Sequence, residues 1–355
     1  KKRLIDDKIE RYLDVFGAIS IEGAKWCGKT WTALNHAESV SYVTETNIKK
    51  LALINPKNIF TEKRPQLIDE WQIVPSIWDS VRHECDRNHN TGKFILTGSA
   101  TLRKDKQREQ VHHSGAGRIA RMKMQTMSLY ESGDSTGDIS IREMFENKDI
   151  SKNIGEVELK TLANLIVRGG WPESLNIKKE NYTLIPKSYI DSILNIEINE
   201  EDKIRDKNKM YMLLKSLARN EATIVNNKTI IKDIEEYETG EDLLTSRTTI
   251  IDYLDFLERL HLIENQEAYS LNYRSPERVG KSVKRHLVDP SLACACLNLN
   301  VDKLMKDLNT FGFLFEALVE RDLRVYMDYL DGKLYHFRDN VSGVEVDSIL
   351  EFEDG

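Results

Sequence analysis

The 355-residue sequence has few cysteines, few prolines and no long apolar run. Its four cysteines (Cys27, Cys85, Cys294 and Cys296) are too few for a disulfide framework, which favours a reducing compartment. No stretch approaches the roughly 18 consecutive apolar residues that cross a bilayer, and acids stand near the start, where a signal peptide would be apolar. We therefore expect a cytoplasmic protein without a membrane partner.

The composition also excludes collagen-like repeats and low-complexity disorder, since the chain has only 7 prolines and 18 glycines. Hydrophobic residues make up 40% of the chain and charged residues 31%, so sizeable buried cores are expected. The length predicts two or three domains. A formal net charge of −7 excludes a uniformly basic nucleic-acid-binding protein but is compatible with a local basic face.

Short apolar runs alternate with helical patterns over residues 1–130, which is typical of a parallel α/β sheet. The predicted strands are Ala18–Glu22, Ser41–Val43, Gln66–Asp69, Lys93–Leu96 and Arg121–Met124. Helices are predicted over Lys29–His36 and Ile77–Arg87. This part of the chain is therefore predicted to form an α/β core.

Two further parts are predicted to follow this core. Residues 131–223 have a mostly helical pattern and are interpreted as a helical lid. Residues 224–273 combine helical spacing with a run, His261–Leu271, that is expected to supply a strand pair. Helix, turn, helix and short ribbon together predict a winged helix.

The last predicted domain comprises residues 274–355. It contains a predicted long helix, Phe313–Tyr329, followed by two predicted strands, Leu334–Asp339 and Val344–Phe352. The final Asp-Gly pair is a hairpin-turn signal that stands where another strand should follow. We therefore expect this domain to be truncated at its C-terminus.

Residues 23–30 match the phosphate-binding pattern G-x-x-x-x-G-K-[ST], after a predicted strand and at the start of a predicted helix. In such a loop glycines let the backbone N–H groups wrap the phosphates of ATP. Lys29 supplies positive charge to the β- and γ-phosphates, and the Thr30 hydroxyl ligates Mg²⁺. The predicted nucleotide-binding residues are Gly23, Ala24, Lys25, Trp26, Cys27, Gly28, Lys29 and Thr30.

Two more strand ends carry polar residues that suit phosphoryl chemistry. Gln66–Asp69 is followed by Glu70, so Asp69 is predicted to hold Mg²⁺ and Glu70 to polarise the attacking water. Lys93–Leu96 is followed by Thr97, which is predicted to contact the γ-phosphate or position that water, with Ser99 as the alternative. This arrangement predicts hydrolysis of ATP in addition to binding.

Arg118 stands at the end of a Gly-rich segment, just before a predicted strand. An arginine can stabilise the charge of the transferring phosphoryl group, either within one chain or from a neighbouring subunit. We assign this role to Arg118, with Arg121 as the competing candidate.

These motifs, in this order, resemble a family of prokaryotic P-loop ATPases. Its members join an AAA-type core to a C-terminal domain of unknown function with a restriction-nuclease-like fold. The residues that carry the resemblance are 23–30, 67–72, 94–100, 115–118, 169–173, 280–292, 311–319 and 336–351. The resemblance implies ATP binding and hydrolysis, and it implies a nucleotide contact by Gly170 and Pro172.

The resemblance also implies a metal site in the C-terminal domain. Restriction-type nucleases place a helix Glu, a strand Asp and a following (D/E)-x-K strand around metal ions. Glu316 and Asp347 match the first two positions, and Glu345 is expected on the same face as Asp347 by the strand period. The (D/E)-x-K strand is absent from this sequence. A nuclease-like fold that serves packing or binding is therefore the alternative.

The segment Tyr273–His286 is locally basic, with five basic residues against one acid. The basic residues are Arg274, Arg278, Lys281, Lys284 and Arg285. Beside a winged helix, such a segment is predicted to contact a DNA backbone, and a solvated connecting loop is the alternative.

Three functional hypotheses follow from these motifs. The first is a Mg²⁺-dependent ATPase whose nucleotide state moves C-terminal domains that engage nucleic acid. The second is an ATP-dependent signalling switch or protein-interaction module, and the third is a nuclease gated by ATP. A homo-oligomer or a protein partner is compatible with each.

Overall fold

The structure is a computed structural model that describes residues 2–88, 90–102, 111, 114–146, 156–195, 198, 205–235, 246–270, 283–339 and 343–353. The chain divides into two compact units. The first unit is Lys1–Gln125 with Arg259–His261, and the second is Thr126–Glu258 with Leu262–Gly355. The four-part division predicted from the sequence remains a prediction.

Helices and strands alternate along the first unit. In chain order they are α1 (Ile5–Val15), β1 (Ala18–Glu22), α2 (Lys29–Leu34), β2 (Ser39–Tyr42), α3 (Thr46–Ile54), β3 (Gln66–Asp69), α4 (Ser76–Asn88), β4 (Phe94–Gly98) and β5 (Ile119–Lys123). The strands form one parallel sheet in the order β2-β3-β4-β1-β5. The predicted α/β fold class is therefore confirmed.

Both faces of this sheet are apolar. Successive strand residues point to opposite sides, and the strands contain consecutive apolar residues. Leu67 and Ile95 belong to a buried cluster that includes residues of α1 and α2. Their neighbours Ile68 and Phe94 belong to a second cluster, with Trp78 of α4. Helices thus cover both faces and leave the carboxyl ends of the strands at one edge, where the P-loop follows β1.

The second unit begins with helices, and further helices separate its first two described strands from its last two. Its helices are α5 (Leu129–Ser132), α6 (Ile141–Phe145), α7 (Leu159–Arg168), α8 (Leu184–Asn195), α9 (Lys207–Arg219), α10 (Asn227–Glu235), α11 (Arg247–Arg259), α12 (Pro290–Cys296), α13 (Val301–Leu304) and α14 (Leu308–Tyr329). Its strands are β6 (Ile263–Ala268), β7 (Lys284–Leu287), β8 (Lys333–Arg338) and β9 (Glu345–Glu351). They form a sheet in the order β7-β6-β8-β9.

The strand pair expected within His261–Leu271 is wrong, since the structure forms a single strand there, β6. β6 pairs antiparallel with β7 and parallel with β8, so it lies inside the sheet rather than in a separate ribbon. The six residues of β6 contain no glycine or proline that would make a turn. The winged helix remains a prediction.

Helix α14 begins five residues before the predicted start. Its N-cap is Asp307, whose carboxylate accepts a hydrogen bond from the Thr310 N–H at 3.1 Å. This cap satisfies a backbone donor of the first turn, which fixes the start of the helix at Leu308. Within the described ranges, no helix is long and apolar enough to span a membrane.

Candidate functional site

The P-loop joins β1 to α2 at the carboxyl edge of the first sheet. Gly28 ends the loop with φ 103°, a left-handed conformation that glycine adopts without a steric penalty. The buried Lys29 follows, and its Nζ donates hydrogen bonds to the Gly23 and Ala24 carbonyls, each at 2.8 Å. The loop therefore curls around the ammonium group of its own lysine.

The other predicted residues of the loop differ in exposure. Cys27 is fully buried, whereas Trp26 is 46% exposed and has a positive φ of 63°. Lys25 is partly buried. The phosphate-binding pattern uses the backbone at these positions and does not specify their side chains, so the exposure of the side chains can differ.

Asp69 unites the two predicted strand ends. Its Oδ1 accepts a hydrogen bond from Thr30 Oγ1 at 2.8 Å and another from Thr97 Oγ1 at 2.6 Å. Asp69 and Thr97 are register partners on the neighbouring strands β3 and β4. Hydroxyl and carboxylate oxygens are the ligands that Mg²⁺ prefers, so these residues fit a Mg²⁺ ion that ATP phosphates also bind.

Glu70 is held by residues other than those that contact Asp69. Its Oε2 accepts hydrogen bonds from Ser99 Oγ at 2.9 Å, from the Ser99 N–H at 3.3 Å and from Gln72 Nε2. Its backbone is left-handed, with φ 57°, which is uncommon for a residue with a side chain. Thr97 and Ser99, which the sequence offered as alternatives for one role, thus contact different acids: Thr97 contacts Asp69, and Ser99 contacts Glu70.

Sequence reasoning missed Arg3 and Gln72. The buried Arg3 donates from Nη1 to the Cys27 carbonyl and from Nη2 to the Gln125 carbonyl, both at 2.9 Å. It thereby ties the P-loop to the residues that follow β5. No local pattern marks Arg3, because its partners are 24 and 122 residues away. Gln72 lies only two residues after Glu70, so its short spacing from that acid was the signal in the sequence.

The structure places Arg118 away from the P-loop of its own chain, which does not support a role there. The Ala18 N–H donates to the Arg118 carbonyl at 3.0 Å, so Arg118 lies beside the start of β1, while the P-loop follows its end. A five-residue strand separates these positions by about 13 Å. The Arg118 side chain instead donates to Asp86 Oδ1 at 2.6 Å. A role in a neighbouring subunit remains a prediction.

Arg121, the competing candidate, lies nearer the P-loop. Its Nη1 is 3.2 Å from Glu22 Oε1, and Glu22 is the last residue of β1. Its guanidinium also stacks over Trp78 at 4.7 Å from the ring centroid. Burial raises the pKa of Glu22, and the nearby Arg121 opposes that rise.

Gly170 and Pro172 lie in the second unit, in a turn with satisfied backbone groups. The Gly170 N–H donates to Asp289 Oδ2 at 2.8 Å, and its carbonyl accepts from the Met127 N–H at 2.7 Å. Pro172 starts a 3₁₀ turn, Pro172–Asn176. These contacts give Gly170 a packing role, and its nucleotide contact remains a prediction.

The predicted metal ligands Glu316 and Asp347 come together around a lysine. Lys284 Nζ lies 2.6 Å from Glu316 Oε1 and 3.1 Å from Asp347 Oδ1, and its side chain is 1% exposed. Burial alone would lower the pKa of Lys284, but its hydrogen bonds to the two carboxylates raise it, so the ammonium stays charged. The Glu345 carboxylate lies 3.9 Å from Arg338 Nη1, and its predicted position on the same face as Asp347 remains a prediction.

This arrangement does not fit the predicted metal ion, because an ammonium group stands between the two carboxylates. In the part of the chain that the structure describes, no group of three or more His, Cys, Asp or Glu side chains is placed to hold a metal ion. The two carboxylates lie close together, as predicted, but the cation between them is the Lys284 ammonium rather than a metal ion.

Most of the predicted DNA-binding segment lies outside the described residues, including Arg274, Arg278 and Lys281. Of the remaining basic residues, Lys284 is buried in its ion cluster. Arg285 is partly buried and donates from Nη1 to the Val225 carbonyl at 3.2 Å. These two residues therefore do not belong to an exposed basic face.

Two family models match separate parts of the chain. Residues 16–132 match the model of the AAA domain, and residues 159–303 match DUF8612, a domain of unknown function. The first match covers the part of the chain that forms the parallel sheet and the P-loop, and it agrees with the predicted AAA-type core. The second match gives no support for a nuclease-like fold, which remains a prediction.

Among solved structures, the chain is similar to a Walker-type ATPase of Pyrococcus abyssi, with TM-score 0.53 and 13% identity over 82% of this chain and 94% of that chain. It also matches the ORC2 protein of Aeropyrum pernix in its ADPNP–ADP complexes, with TM-score 0.32 and 13% identity over 88% and 91% of the two chains. The first similarity supports the fold. A search of curated proteins found no match.

Proposed function

We propose that this protein binds ATP with Mg²⁺ and hydrolyses the β–γ bond. The observation that carries the proposal is the hydrogen bond that Thr30, the residue after Lys29, donates to Asp69, the residue before Glu70, at the edge of the sheet where the P-loop lies. A phosphate-binding loop alone would account for binding. The second acid, held at a defined position by Ser99, favours hydrolysis.

Each residue has a separate task in this proposal. The Lys29 ammonium, now bonded to two carbonyls of its own loop, exchanges those bonds for the β- and γ-phosphate oxygens. Thr30 and Asp69 hold the Mg²⁺ ion, and Thr97 orients the Asp69 carboxylate from the next strand. When bound, Mg²⁺ neutralises charge on the phosphates during transfer.

Glu70 acts as the general base in this proposal. Its Oε2 accepts the hydrogen bonds from Ser99 and Gln72, which leaves Oε1 to take the proton of the attacking water. In this proposal Oε1 is therefore the oxygen that accepts the proton. Coupling of the nucleotide state to the second unit, and contact of that unit with nucleic acid, remain predictions of the sequence.

Binding and turnover of ATP by the full chain test this proposal. We expect Lys29→Ala to abolish binding of a fluorescent ATP analogue or to weaken it severely, because the phosphates lose the fixed cation of the loop. Lys57→Ala, at an exposed position of the same unit, is the matched control and should bind as the wild type does.

Glu70→Gln separates hydrolysis from binding. The amide keeps the size of the side chain but cannot accept a proton, so we expect Mg²⁺-ATP affinity to persist while turnover falls at least about a hundredfold. Wild-type affinity in Lys29→Ala would refute the nucleotide site. Wild-type turnover in Glu70→Gln would refute the role of Glu70 alone.

A further inference from the structure

Lys284 occupies the space between two acids that come from distant elements. Glu316 lies on α14 and Asp347 on β9, and the two hydrogen bonds to Lys284 Nζ span 32 and 63 residues of chain. The lysine side chain is 1% exposed, whereas Glu316 is 23% and Asp347 55% exposed. The ammonium therefore lies beneath the carboxylates, and they separate it from solvent.

A β-bulge accompanies the position of Asp347. In the pairing of β8 with β9, Tyr335 faces Ile349 and Phe337 faces Val346, so two residues of β9 stand opposite His336. A bulge of this kind changes the direction of side chains on the bulged strand. Asp347 is one of the two residues, and its backbone carbonyl also accepts from Gln266 Nε2 at 2.9 Å.

The same face of α14 continues this pattern of ion pairs. Glu316, Glu320 and Arg324 recur every four residues and so lie on one side of the helix. Glu320 accepts a hydrogen bond from Arg324 and lies 4.0 Å from His286, two residues after Lys284 on β7. The acids of this face thus meet basic groups of the protein itself.

The other buried acids of this region also have protein partners. Glu221 Oε1 lies 3.1 Å from His286 Nδ1, and Glu264 lies 3.7 Å from Arg324. A divalent cation binds carboxylate oxygens at about 2.0–2.6 Å, in the space that the ammonium group now fills. It would also be repelled by that ammonium at short range in a partly buried setting.

We propose that the Lys284 ammonium is the resident cation of the Glu316–Asp347 pair. It keeps divalent metal ions out of the pair, and its removal converts the pair into a site for an oxygen-preferring divalent cation such as Mn²⁺. In the wild-type chain the Glu316–Asp347 pair therefore binds the Lys284 ammonium and no metal ion. This proposal does not depend on ATP binding by the first unit.

Mn²⁺ titration of the full chain without nucleotide, followed by electron paramagnetic resonance, tests the proposal. Asp69→Asn is introduced throughout, so that the first unit does not contribute a carboxylate site. In this background we expect no saturable Mn²⁺ binding with Lys284 present, and none in Lys284→Arg, which keeps the charge. Lys284→Gln removes the charge at similar length and should gain about one Mn²⁺ ion per chain. Adding Glu316→Gln should abolish that gain.

Two results would overturn the proposal. One is saturable Mn²⁺ binding with Lys284 present that Glu316→Gln removes, since the metal and the lysine would then share the site. The other is a folded Lys284→Gln variant that gains no Mn²⁺. If that variant is unfolded without metal, its folding is followed by circular dichroism at increasing Mn²⁺. Recovery of the fold supports the proposal, because binding to the native state stabilises it, and no recovery overturns it.

Discussion

The Thr97 hydroxyl lies 2.6 Å from the Asp69 carboxylate, across the neighbouring strands β4 and β3. Two residues further along, Ser99 makes the equivalent contact with Glu70 at 2.9 Å. Residues 97 and 99 thus supply one hydroxyl to each of the consecutive acids, in addition to the hydroxyl that Thr30 donates to Asp69. These contacts separate the acid that suits a metal ion from the acid that suits proton transfer.

Asp69→Asn should remove the Mg²⁺ dependence of nucleotide binding. The amide keeps the size of the side chain but lacks the charge that a divalent cation requires. We expect affinity for an ATP analogue in Mg²⁺ to fall to the value measured with a chelator, and turnover to fall at least about a hundredfold. Fluorescent-nucleotide titrations with Mg²⁺ and with chelator check this. A persistent Mg²⁺ effect on affinity would contradict the assignment of Asp69.

Ser99→Ala should lower kcat with little change in KM. It removes the hydroxyl that donates to Glu70 Oε2, and the loss of a hydrogen bond to a charged group predicts a decrease of about tenfold or more. Ser99→Thr restores the hydroxyl and should recover most of the turnover. Steady-state ATPase kinetics measure both variants. A change confined to KM would place Ser99 at the nucleotide rather than at Glu70.

Local sequence was sufficient for the strands and loops that carry the candidate site. Gln66–Asp69 and Ala18–Glu22 were predicted to the residue, because each is a short apolar run with polar residues at its end. The spacing between Gly28, Lys29 and Thr30 is local as well. Their approach to Asp69 was also predictable, since the carboxyl ends of parallel strands lie at one edge of a sheet.

Contacts between distant residues were not predictable in this way. Lys284 looked like one charge of an exposed basic segment, and only its pairing with Glu316 and Asp347 shows that it is buried. Arg118 had the right residue type before a strand, but the sequence did not reveal which end of the sheet that position occupies. Register and burial depend on the tertiary fold, which a single sequence does not state.

Arg118→Ala should raise the pKa of Asp86 toward its ordinary value. The hydrogen bond from Arg118 holds that pKa below the ordinary value in the folded chain. A lowered native pKa stabilises the fold above the unfolded pKa, and the contribution is lost as pH falls through the folded pKa. We therefore expect the variant to lose stability mainly at neutral pH and to resemble the wild type in acid. Carboxyl NMR titrations of both proteins check the shift.

Turnover of the same variant tests the role of Arg118 in phosphoryl transfer. Because its side chain lies at the amino end of the sheet, we expect ATP turnover of the dilute, monomeric chain to be unchanged. A decrease that appears only at concentrations where the protein assembles would support action in a neighbouring subunit. A decrease in the monomer would contradict the position found here.

Gly170→Ala should destabilise the second unit. A Cβ at this position would lie 2.2 Å from the Met127 carbonyl oxygen and 2.9 Å from the Met127 nitrogen, both of them backbone atoms. Backbone cannot yield as a flexible side chain does, so we expect a loss of about 1–3 kcal/mol in the free energy of unfolding. The hydrogen bond from Gly170 to the buried Asp289 would be strained at the same time.

Gly312→Ala is the matched control in the same unit, because a Cβ there meets nothing within 4 Å and the residue lies inside α14. It should stabilise the helix by about 0.5–1 kcal/mol, since alanine loses less conformational freedom than glycine on folding. Urea unfolding of both variants gives the comparison, and an ATP-analogue titration is run on the same samples. If Gly170→Ala keeps wild-type stability but loses affinity for the nucleotide, the packing role is wrong and the predicted nucleotide contact of Gly170 is favoured.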